Sequence, residues 1–77
     1  MALVNQIERM TKERNQIHGR VDCTYTTFVG SDGKTYLQLD TYGSSSREFP
    51  GKISQSIQFG PDAARALSEI INREFGA

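Results

Sequence analysis

The spacing of apolar and polar residues changes twice along the chain. Leu3, Ile7, Met10 and Ile17 recur at helical spacing, with Arg14 interrupting one step. Glu8, Arg9, Lys12 and Glu13 fill the other faces, and Glu8 and Lys12 stand at the favourable i,i+4 separation. Gly19 follows as a natural stop. The pattern predicts an amphipathic N-terminal helix within residues 1–18. Its apolar stripe is narrow, which suits a partner helix or a sheet edge better than a deep core.

From Val21 to Gly30 the period becomes two. Val21, Cys23, Tyr25, Thr27 and Val29 share one parity; Asp22, Thr24, Thr26 and Phe28 share the other. Gly30-Ser31-Asp32-Gly33 is a tight-turn cluster. A second alternating run covers Lys34 to Tyr42, with Thr35, Leu37, Leu39 and Thr41 inward and Lys34, Tyr36, Gln38, Asp40 and Tyr42 outward. The two runs predict a hairpin. Residues 43–51 read as a loop closed by the Pro50-Gly51 turn pair, and Ser46 to Phe49 leaves room for a short extra strand. Lys52 to Phe59 is a further strand, with Ile53, Gln55, Ile57 and Phe59 on one face. Gly60-Pro61-Asp62 then opens a helix with proline at its first position and an acid at the positive end of its dipole. Ala63, Ala64, Leu67, Ile70, Ile71 and Phe75 form its apolar side, and Gly76 ends it.

The expected architecture is α+β and a single domain, residues 1–77. A three- to four-stranded antiparallel sheet (21–59) packs on a C-terminal helix (61–75), with an extra N-terminal helix. The C-terminal helix is expected to cover Leu37, Leu39, Ile53, Ile57 and Phe59.

Composition narrows the function classes. No apolar run approaches the ~20 residues a spanning helix needs. The single cysteine excludes an internal disulfide, and one cysteine with one histidine argues against a zinc site. A chain of 77 residues buries little core, so a partner subunit is the expected staple. The N-terminus lacks the basic stretch and long apolar core of a secretory signal, and Cys23 fits a reducing compartment, so a cytoplasmic location is expected. Nine basic residues balance nine acidic ones, which counts against a strongly basic nucleic-acid-binding domain while leaving local patches open.

The outward sheet face is the most informative feature. It carries Thr24, Thr26, Phe28, Lys34, Tyr36, Gln38, Tyr42, Lys52, Ser54, Ser56 and Gln58. Aromatic rings between hydroxyls, amides and cations are what a single-stranded nucleic-acid platform requires, because bases stack while cations and hydroxyls hold phosphates and base edges. A half-solvated antiparallel sheet has much the same composition, since Thr and Tyr favour strands, and burial of the face in a homodimer is a third reading. Ser44 to Arg47 with Pro50-Gly51-Lys52 has the groups to hold an anion, but it lacks a P-loop pattern and reads more simply as a connection. His18 has no motif around it. Cys23 lies on the inward parity and reads as a small buried hydrophobe. Asp22 and Asp40 lack companion acids at metal-site spacing. No acid, base and nucleophile converge by spacing, so the chain is not expected to be an enzyme, and neither cofactor nor metal is implied.

The run from Val21 to Phe75 resembles the single-stranded-DNA-binding domain of the positive-cofactor-four type of transcriptional coactivators. The resemblance rests on the order strand, hairpin, strand (Thr35-Tyr36-Leu37-Gln38-Leu39-Asp40-Thr41-Tyr42), Pro50-Gly51-Lys52 turn, strand ending in Ser56-Ile57-Gln58-Phe59, then amphipathic helix. It covers about two-thirds of the chain as a pattern. Asp40 within the outward parity and the extra N-terminal segment depart from it. It implies a homodimer built largely through the C-terminal helices, with strands of both subunits forming a channel for single-stranded DNA or RNA. Carried over by position, Phe28 and Tyr36 stack, Lys34, Arg47 and Lys52 neutralise phosphates, and Gln38, Ser54 and Ser56 contact the strand. Asp40-Thr41-Tyr42-Gly43-Ser44 with Arg47, Pro50-Gly51-Lys52 and Ser54 to Phe59 is also similar to a group of short uncharacterised bacterial proteins, which supplies no function. Two expectations follow: a small dimeric, transcription-related single-stranded nucleic-acid-binding protein, or a non-catalytic protein–protein interaction module, such as an inhibitor or assembly subunit, that uses the outward face and residues 1–18.

Overall fold

A computed structural model describes residues 1–43 and 52–76. The elements are β1 (Ala2–Val4), β2 (Cys23–Val29), β3 (Thr35–Tyr42), β4 (Ile53–Phe59) and α1 (Pro61–Phe75). They form one four-stranded sheet in the order β1-β4-β3-β2. β2 and β4 flank β3 antiparallel, whereas β1 joins the outer side of β4 in parallel.

The hairpin follows from its turn chemistry. Gly30 N–H donates to Lys34 O at 2.8 Å and Gly33 N–H to Gly30 O at 3.0 Å. Gly33 has φ +80°, the left-handed residue that closes a three-residue hairpin loop. Asp32 Oδ1 accepts from the Lys34 N–H at 3.0 Å and ties the loop to the strand that leaves it. The helix boundaries also follow the local residues. Gly60 is extended, Pro61 sits in the first turn with Asp62, and Gly76 at φ +71° donates its N–H to Asn72 O.

Two expectations are corrected here. Residues 1–18 are not a helix: Ala2–Val4 forms β1, and no regular element spans 5–22. The sheet is therefore mixed rather than antiparallel, and its fourth strand comes from the N-terminus. The extra strand considered within 43–51 falls on residues 44–51, outside the described residues. The physical reason lies in what each alternative buries. Met10 and Ile17 remain 74% and 96% exposed, so the stripe is packed on nothing, and a short helix without packing does not recover its nucleation cost. β4 meanwhile offers an edge of unpaired backbone groups that Ala2–Val4 satisfies in register with Ile57, Gln58 and Phe59.

α1 packs against β3 and β4. Among the described residues the buried apolar core is small: Phe59 at 7% and Ala63 at 5% exposure. Tyr25, Leu39, Ile57 and Ala2 lie in one cross-strand row, and of these only Leu39 is even half-buried. Helical cover of the apolar face is thus partial. Ile53 also departs from the alternation. A bulge pairs Thr41 with Gln55 but Tyr42 with Ile53, so Ser54 is the extra residue and Ile53 is out of step with Ile57 and Phe59. Cys23, expected to be buried, is exposed, because helical cover does not reach β2.

Tyr36 lies across the space left by two glycines. A Cβ on Gly30 would stand 2.7 Å from Tyr36 Cε1, and one on Gly60 would stand 3.3 Å from Cε2. Gly30→Ala is expected to destabilise the fold by about 1–3 kcal/mol through this overlap. Gly60→Ala should cost less. Urea unfolding of both variants checks the order.

Candidate nucleic-acid interface

The even-numbered residues of β2 and β3 build the polar face in rows set by strand register. Phe28 pairs with Tyr36, Thr26 with Gln38 and Thr24 with Asp40; Gln38 and Asp40 in turn pair with Gln58 and Ser56 of β4. Phe28 and Tyr36 stack with ring centroids 5.6 Å apart and planes 18° from parallel. Tyr36 Oη also donates a hydrogen bond to Asp32 Oδ2. The aromatic pair is thereby clamped to the hairpin turn.

Behind the rings runs a side-chain hydrogen-bond chain. Gln58 Nε2 donates to Gln38 Oε1 at 2.7 Å, Gln38 Nε2 to Asp40 Oδ1 at 3.0 Å, and Ser56 Oγ to Asp40 Oδ1 at 2.5 Å. Thr24 Oγ1 and Tyr42 Oη share a 2.9 Å hydrogen bond beyond it. Asp40 is only 6% exposed. It lies in the outward parity, and the neighbouring rows enclose it. Neutral donors satisfy its carboxylate, which is how a buried polar group is tolerated. Where β1 joins the sheet, Met1, Ala2, Leu3, Gln38, Ser56 and Gln58 line a shallow recess of about 260 Å³.

The sequence-predicted residues divide into three groups. Phe28, Tyr36 and Lys34 gather at the hairpin end. Gln38 and Ser56 meet in the centre through Asp40. Ser54 and Lys52 lie at the far end, Ser54 in the bulge and Lys52 immediately before β4. Arg47 lies outside the described residues. Sequence reasoning gave Asp32 a place in the turn only and did not pair Thr24 with Tyr42, and it saw Asp40 as a departure, not as the acceptor that organises the centre. The outward parity of Asp40 between Gln38 and Ser56 was the available signal. Among the described residues no group of three His, Cys, Asp or Glu side chains could hold a metal ion, and no helix is long and apolar enough to cross a membrane.

Electrostatics at the hairpin end centre on Asp32. The Tyr36 phenol, then the Lys34 N–H and the Lys34 charge, hold its carboxyl below the usual value of 3.8. The same hydrogen bond raises the Tyr36 phenol above 10.0. It is the backbone N–H of Lys34 that bonds to Asp32 in the turn.

No family model, curated protein or solved structure matches this chain.

Two predictions follow from this geometry. Asp40→Ala leaves the Ser56 hydroxyl and Gln38 amide without their acceptor and should lower the unfolding free energy by about 1–3 kcal/mol, read from the shift in urea midpoint. Because the native pKa of Asp32 is depressed, its contribution to stability is present above its unfolded value and lost as pH falls through the folded one; Tyr36, being raised, contributes below 10 and loses that contribution as pH rises through its folded value. Tyr36→Phe should move the Asp32 carboxyl back towards 3.8, measured by NMR titration of the carboxyl carbon.

Proposed function

We propose that the protein is a small, non-catalytic, dimeric single-stranded nucleic-acid-binding protein that uses the polar face of its sheet. The observation that carries this reading is the stacked Phe28–Tyr36 pair beside the Gln38, Gln58 and Ser56 amides and hydroxyl on one open face. Aromatic rings provide sequence-tolerant stacking, and amides meet base edges. Asp40 is the acid at the centre of this face, and its enclosure limits its repulsion of a bound strand, while Asp22 and Asp32 lie at the two ends. Cations stand at the two ends, Lys34 by the turn and Lys52 before β4, so phosphates are held at the margins of the platform and bases near its centre. The resemblance to the positive-cofactor-four type supports a role in transcription.

A protein–protein interaction module is the second reading. Zero net charge and the partly uncovered Tyr25–Leu39–Ile57 row favour it. Residues 1–18 contribute to it as a strand and an extended segment, which Arg9 ties to α1 by an exposed ion pair with Glu74 at 3.7 Å.

Fluorescence anisotropy with labelled single-stranded DNA and RNA and a matched duplex separates the two. Single strands should bind more tightly than duplex, with affinity falling as salt rises. Phe28→Ala should weaken binding roughly 5- to 150-fold, the range that losing about 1–3 kcal/mol of base stacking produces. Lys34→Gln should reduce the salt slope by about 0.7, the value for one single-strand phosphate contact. Unchanged affinity in Phe28→Ala removes the stacking role, and no binding of single strands at low salt leaves the interaction module.

A further inference from the structure

The two edges of the sheet differ sharply. β1 is three residues long, and short edge strands give other chains little to pair with. β2 is seven residues long, exposed throughout, and reads Cys-Thr-Tyr-Thr-Thr-Phe-Val, without a charge, a proline or a glycine. Natural sheets protect such an edge with charges, prolines or bulges, and β2 has none of these.

Register shows which backbone groups the edge presents. Gly30 bonds to Lys34 and Tyr42 to Asp22, so residues 30 and 22 sit in hydrogen-bonded pairs with β3. Alternation along the regular ladder assigns Thr24, Thr26 and Phe28 to the same class. The N–H and C=O groups of Cys23, Tyr25, Thr27 and Val29 therefore point away from β3, and among the described residues none pairs with them.

We infer that this edge is closed by a second copy of the chain, with β2 pairing antiparallel to its counterpart about a two-fold axis at Thr26. That register is the one that engages all four outward residues: Cys23 faces Val29, and Tyr25 faces Thr27, of the other copy. Shifting the axis to Tyr25 or Thr27 leaves part of the row unpaired. Because the strand is uncharged, self-pairing sets no like charges opposite each other.

Edge pairing makes one eight-stranded sheet with both polar faces on the same side. Thr24 of one copy then neighbours Phe28 of the other, and the two aromatic pairs belong to one continuous platform. The inference specifies the dimer proposed above but does not rest on nucleic-acid binding, so each can fail without the other. It also differs from the helix-mediated dimer that the family resemblance implies.

Sedimentation of the full chain tests it. The wild type should sediment at twice its 8.6 kDa mass. Thr27→Pro removes an N–H that β3 does not use, which an edge strand tolerates, and should sediment at the single-chain mass with the circular dichroism of the wild type. As a second route that does not depend on that variant folding, Thr26→Cys in a Cys23→Ser background should form a disulfide-linked dimer on mild oxidation. Residues opposite each other at a non-hydrogen-bonded site have Cα atoms ~4.5 Å apart, within disulfide reach. Tyr25→Cys and Thr27→Cys in the same background should crosslink several-fold less. A monomeric wild type overturns the inference. So does a dimer that persists in folded Thr27→Pro, or one that Phe75→Asp disrupts while Thr26→Cys fails to crosslink.

Discussion

One amphipathic helix cannot shield both faces and both edges of a four-stranded sheet. The rest of this structure is arranged around that constraint. α1 follows β4 directly and packs over β3 and β4, burying Phe59 and Ala63. What it does not cover must be stabilised by other means. On the opposite face the means are polar, and no described buried side-chain polar atom lacks a hydrogen-bond partner. A hydrogen-bonded polar layer contributes modestly per bond, but breaking it is costly, so it specifies the arrangement more than it adds net stability.

Asp40 is the centre of that layer. Its carboxylate draws Gln38 from its own strand and Ser56 from β4, and Gln38 in turn orients Gln58. The amides are thereby held in fixed directions beside the Phe28–Tyr36 pair. At the hairpin end, Gly30 and Gly60 leave room for the Tyr36 ring, and Asp32 holds its hydroxyl. The same contacts that stabilise the sheet also pre-organise the surface proposed to meet a nucleic acid, because rigid rings and oriented amides lose little freedom on binding.

Much of the fold was legible in the sequence. The hairpin, β4 and α1 were readable from period-two alternation, the Asp-Gly turn and the Gly-Pro-Asp helix start, all of which act within a few residues. The outward parity of Phe28, Tyr36, Gln38 and Ser56 was readable for the same reason. The bulge at Ser54 was not, since it reflects how β3 and β4 slide into register and leaves no turn residue to mark it. The burial of Asp40 was not legible either: alternation gives a side, but enclosure depends on which side chains arrive from neighbouring strands.

The N-terminus shows most clearly where local pattern stops. Leu3, Ile7, Met10 and Ile17 have helical spacing, and helix formation by them requires an apolar surface to receive the stripe. Such a surface is a tertiary property. Here the stripe is not packed on one; Ala2–Val4 takes the backbone partners offered by β4, and the sheet becomes mixed. The sequence by itself determined the hairpin, the C-terminal helix and the alternation of the two faces, because turn geometry, capping and side-chain period are local. Only the tertiary structure decided the fate of residues 1–18, the enclosure of Asp40 and the exposure of β2, because each depends on what a distant part of the chain presents or fails to cover.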